Sequence, residues 1–186
     1  MREQGDMQTP AMTTQSGIGP TTRLRIRSDR VLLDVARSIA SPESATHDAG
    51  SLQCILAHLD HAPLTAAGIE SAIQQIEDGL MPVLRSLPDH GQLVTSAPEY
   101  WKVVKAARLG GSPEVDLDIA TVESLFNRLA DVAYGMPAAR LGIPAYRSFA
   151  AVVLLLREIL HHGGFGSVRV TQPSPAPDDS VPGRRR

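Results

Sequence analysis

The sequence predicts an all-α protein, a single-domain bundle of about six helices, on three observations. Apolar residues recur at spacings of three and four through most of the chain, Pro and Gly punctuate the joints, and one late segment is apolar on every face. The first helix is placed from about Ser28 to Ala40. There Val31, Leu32, Val35, Ala36 and Ile39 share one face, and Ser28 is positioned to cap the first turn. The second runs from Ser51 to His61 on Leu52, Ile55, Leu56 and Leu59, with Pro63 ending it. Thr65 caps the third, whose stripe Ile69, Ile73, Ile76, Leu80, Val83, Leu84 and Leu87 advances for five turns; Pro82 should kink or break it.

Ser96 and Glu99 stand three apart, the spacing of a capping box, so a fourth helix is expected to run to Leu109 and stop at Gly110 and Gly111. A fifth begins near Asp118, carries Val122, Leu125, Phe126, Leu129, Val132 and Ala133, and ends at Gly135. Residues 137 to 141 suit a short helical turn. The sixth, residues 144 to 162, starts at Pro144 and contains the eight-residue apolar run Phe149 to Leu156, which suits a buried axis. Two short stretches alternate with period two, Leu24 and Ile26 among Arg23, Arg25 and Arg27, and Val168 and Val170 around Arg169. They suit a terminal ribbon.

The expected domains are a disordered tail over 1–20, the helical bundle over 21–166, and a disordered Pro- and Arg-rich tail over 167–186, whose four late prolines break helices and ladders alike. The eight-residue apolar run is far below the roughly 18 residues a membrane helix needs. With one cysteine and no basic-then-apolar leader, the chain reads as cytoplasmic. Its formal charge of −2 is unevenly spread: +2 over residues 1–30, −8 over 31–134 and +4 over 135–186. An anionic partner would therefore meet the ends and not the middle.

Candidate chemistry is sparse. His58, Asp60 and His61 have a spacing that would let two imidazoles face one ion, yet neither H-E-x-x-H nor C-x-x-C accompanies them. Their place at a helix end, like that of His161 and His162, suits pairing with the negative end of the helix dipole, so neither metal nor cofactor is expected. Cys54, between Leu52 and Ile55, reads as a small buried hydrophobe. Glu114, Asp116 and Asp118 alternate before a helix but lack the glycine and the terminal glutamate of a calcium loop.

The segment Glu99 to Arg108 sets Lys102, Lys105 and Arg108 three apart beside Tyr100 and Trp101, the pattern of a partner-binding patch. The competing account makes Tyr100, Val103, Val104 and Ala107 a core face and the lysines its solvated side. Residues 138–153 offer a second possibility: Ala138, Gly142 and Ile143 match helix-turn-helix spacing, with Arg140 and Arg147 placed for nucleic acid, although Pro144 and Ser148 depart from the pattern. With no converging polar groups for covalent chemistry, the expectation is a non-enzymatic protein acting on another protein as an adaptor, inhibitor or regulatory subunit. Its alternative is a helix-turn-helix DNA-binding regulator.

Overall fold

Thr21–Arg27 and Arg30–Ala36 bury every second side chain and pair antiparallel as β1 and β2 across the two-residue turn Ser28–Asp29. In this computed structural model, which describes residues 20–36, 44–60, 63–87 and 91–172, β1 and β2 open a six-stranded mixed sheet. Ser44–Ser51 forms β3, followed by α1 (Leu52–His58) and α2 (Ala66–Leu84). β4 (Gln92–Thr95) leads into α3 (Pro98–Ala106), and β5 (Glu114–Asp118) into α4 (Ile119–Ala133). A single turn, α5 (Ala138–Leu141), precedes α6 (Arg147–Gly163) and β6 (Ser167–Thr171). The strand order is β3-β2-β1-β4-β6-β5, with β1, β4 and β6 parallel and with β2 and β5 antiparallel to their neighbours.

The all-α expectation is thus corrected to an α/β fold. The described part of its first helix, Ser28–Ala36, is the turn and second strand of the β1–β2 hairpin: Val31, Leu33 and Val35 are buried while Leu32 and Asp34 between them are not, so the working period is two. The ribbon segments are both strands, but β4 lies between them. Ser167–Thr171, assigned to the tail, is β6; the rest of both predicted tails, 1–19 and 173–186, lies outside the described residues, as do Ile39 and His61.

Several helix boundaries have visible local causes. Ser51, Thr65 and Asp118 cap α1, α2 and α4 by accepting from the backbone amides of Cys54, Gly68 and Thr121. The Thr121 side chain, together with that backbone amide, holds the Asp118 carboxyl below the usual carboxylate range. Pro82 falls in the last turn of α2, which continues through it to Leu84. At α3 no capping box forms. Ala97 is the cap, Thr95 accepts from its amide, and Pro98 opens the helix. Arg108, at φ 61°, ends this region before Gly110 is reached.

All the long helices gather on one face of the sheet. Leu24, Leu33, Leu93, Val168 and Leu117 from five strands point into the same core, and α1, α2, α3 and α4 all pack on α6, whose residues Phe149 to Leu156 are all buried. On the other face the register aligns Thr46, Asp34, Arg23, Val94, Arg169 and Asp116 in one row. Arg25 donates to Asp34 at 2.7 Å and Arg169 donates to Asp116 at 2.8 Å, which holds the Asp116 carboxyl low. No described helix is long and apolar enough to cross a membrane.

Candidate functional site

A cationic face is assembled from two stretches of chain that the sequence keeps some forty residues apart. α3 presents Lys102 and Lys105 to solvent, and Arg108 follows it. Opposite lies the turn between α5 and α6. Gly142 ends α5 in the left-handed conformation at φ 65°, so the chain reverses within Ile143 to Tyr146 and brings Tyr146 against α3. The Lys102 ammonium sits over the Tyr146 ring, 5.6 Å from its centroid. Tyr146 in turn meets Phe149 edge to face at 6.2 Å, which anchors the turn on the core helix. A side chain started at Gly142 would stand only 3.5 Å from the Arg108 guanidinium.

Two recesses flank Tyr146. One, of about 370 Å³, is lined by Lys102, Lys105, Gly142, Ile143 and Pro144. The other, of about 540 Å³, is more apolar, built from Leu59, Leu64, Val132, Met136 and Ala138 with Asp60 and Arg147 at its mouth. Arg147 is ion-paired with Asp60. Among the described residues Lys102, Lys105, Arg108 and the exposed Arg140 of α5 have no ion-pair partner. Such a face attracts anions and holds them by charge, with Tyr146 as a rigid aromatic wall.

The predicted site residues therefore divide. Lys102 and Lys105 line one recess with Arg108 against Gly142 beside it, Arg140 stands just before the same turn, and Arg147 belongs to the other recess, paired with Asp60. Trp101 is half-buried against the core, and Tyr100 is fully buried, which leaves it no surface for a partner. Burial pushes the Tyr100 phenol far above its usual range, and among the described residues its hydroxyl has no hydrogen-bond partner. Tyr100→Phe is accordingly expected to raise stability by about 1 kcal/mol in urea unfolding, since it removes a desolvated group that gains nothing back; a loss of stability would show that the hydroxyl is bonded. Tyr146 and Gly142 carry the geometry; in the sequence Gly142 shows only as part of a helix-turn-helix spacing, and Tyr146 carries no signal.

The helix-turn-helix reading is corrected. α5 is a single turn, α6 begins at Arg147 and not at Pro144, and its length is enclosed by other helices, so no recognition helix is presented. Cys54 is exposed near the start of α1. His58 closes α1, its intended partner His61 lies outside the described residues, and Glu77, Glu158 and His162 come together elsewhere, between α2 and the end of α6.

No family model and no curated protein matches this sequence. Solved structures do. A Ppx/GppA enzyme of Aquifex aeolicus superposes with a TM-score of 0.63 at 9% identity, over 87% of this chain and 56% of that one. An exopolyphosphatase of Cytophaga hutchinsonii gives 0.59 at 12% identity, over 84% and 54%. The fold is that of the Ppx/GppA phosphatases. At these identities the likeness concerns the fold alone, and this chain spans little more than half the length of either neighbour. The α/β fold removes the ground for a non-enzymatic adaptor, inhibitor or regulatory subunit, which rested on an all-α bundle, and the DNA-binding alternative loses the recognition helix it required.

Proposed function

We propose that this chain is the polyphosphate-holding domain of a phosphoanhydride-cleaving enzyme, gripping the anionic chain along α3 and the α5–α6 turn. The supporting observation is that Lys102 and Lys105 line one recess beside Tyr146 with the Arg108 guanidinium against Gly142 at its edge and Arg140 exposed on α5, in a fold whose solved neighbours include exopolyphosphatases. Lys102 and Lys105 are one short step apart, about 4.5 Å along the helix axis, so one extended anion meets them in succession. Arg108 and Arg140 extend the track beyond the helix end. In hydrolysis a water oxygen forms a bond to phosphorus while the bridging P–O bond breaks and the shortened chain leaves. Cations on the flanking phosphates neutralise charge and fix the chain in line. The reading includes a cytoplasmic setting, where an exposed thiol such as Cys54 stays reduced.

Titration of the chain with long-chain inorganic polyphosphate, followed calorimetrically at several salt concentrations, tests this. Binding should weaken with salt, and the double variant Lys105→Ala, Arg108→Ala should bind about tenfold less tightly, with a salt slope reduced by roughly one to two. No binding at low salt, an unaffected double variant, or duplex DNA competing equally well would overturn the proposal.

A further inference from the structure

At the C-terminal end of α6, opposite the end that carries Arg147, three side chains from two helices converge on one point. His162 Nε2 lies 3.2 Å from Glu77 Oε1 on α2 and 3.2 Å from Glu158 Oε2, one turn earlier on α6. The three ligand atoms all fall within 4.8 Å of one another. For a tetrahedral ion with arms of about 2.0 to 2.1 Å, neighbouring ligand atoms stand about 3.3 Å apart, so the two His–Glu edges already have the required length. We propose that Glu77, Glu158 and His162 bind a divalent transition-metal ion of the Zn²⁺ or Mn²⁺ class, pinning α2 to the last turn of α6.

Three further observations support this assignment. Glu158 is a carboxylate buried to 2% side-chain exposure in the most apolar helix, a place that is costly for a charge unless cations neutralise it. Arg157 supplies one, donating to Glu158 Oε1 at 2.6 Å and to Glu123 at 3.0 Å while stacked 4.4 Å over Phe126. That arrangement fixes the Glu158 carboxylate and leaves Oε2 turned toward His162 and Glu77, as an outer-shell partner does for a metal ligand. Charge is the third point. Glu77, Glu123 and Glu158 against the single Arg157 leave the cluster at −2 with neutral imidazoles, the charge that one divalent ion cancels. His162 and Glu77 are each about one-third exposed, which gives the ion a way in and leaves room for water as a fourth ligand.

The full chain, stripped of metal, is titrated with ZnCl₂ and separately with MnCl₂, reading stoichiometry by calorimetry and the melting midpoint by circular dichroism. One ion per chain is expected, with a midpoint raised by roughly 5 to 10 °C at a hundredfold excess over Kd. Mg²⁺ should do far less, because an imidazole ligand favours the softer ions. His162→Ala should weaken binding at least tenfold. Glu158→Ala risks unfolding the chain, so Glu77→Gln, at a partly exposed position, serves as the second variant: it too should bind at least tenfold more weakly while its metal-free midpoint stays unchanged. Cys54→Ser should bind as the parent does. Absence of saturable binding, or binding that survives both His162→Ala and Glu77→Gln, would overturn the site. Neither readout involves polyphosphate, so this result is independent of the anion-binding test.

Discussion

Leu154→Ala is expected to lower the unfolding free energy by about 3 to 5 kcal/mol, a large share of the roughly 5 to 15 kcal/mol that holds a domain together. Leu154 sits at the centre of α6 and is fully buried, as are its neighbours Val153 and Leu155. Helices α1, α2, α3 and α4 all pack on α6, so the truncated side chain leaves a void that no single neighbour can close. The loss combines the transfer energy of three missing carbons with the contacts forfeited around the cavity. Urea unfolding of parent and variant, with m compared between them, measures it. A loss below about 1 kcal/mol would mean that α6 is not enclosed.

Gly79→Ala should destabilise by about 1 to 3 kcal/mol even though helix propensity alone favours alanine by about 1 kcal/mol. Gly79 lies inside α2, where the helix crosses the end of β3. A Cβ there would come within 2.5 Å of the Ala49 carbonyl oxygen and 3.2 Å of its carbon, and both are backbone atoms of a strand already held by β2. No flexible side chain can give way, so helix and sheet must separate. The sign of the change is diagnostic. A more stable variant in thermal and urea unfolding would place α2 farther from β3 than the structure has it.

The two substitutions differ in what a reader of the sequence alone can anticipate. The burial of Leu154 follows from an apolar run too dense to face water on any side. Gly79 carries no comparable signal, since its partner is the backbone of Ala49, thirty residues away. The cationic face has the same origin. The lysines of α3 and the arginines near Gly142 could each be singled out, but their meeting around Tyr146 depends on where α6 delivers the turn. The histidines at the end of α6 were legible as helix-terminal groups. The approach of Glu77 from α2 was not.

What the sequence determined by itself are the features whose causes lie within a turn or two: Thr65 as a cap, helix starts near Ser51 and Asp118, the stripes of α2 and α4, and the wholly apolar α6. The tertiary structure alone decided the sheet. Residues 31–36 fit a helical period and a strand period alike, and only the ladder with β1 and β3 settles the choice. β3 reads Ser-Ala-Thr-His-Asp-Ala-Gly-Ser and has almost no apolar signal, while the pairing of Leu24 with Thr95 joins residues seventy positions apart. A helix satisfies its backbone amides from its own chain, so its evidence is local; a strand satisfies them from partners that the sequence does not point to.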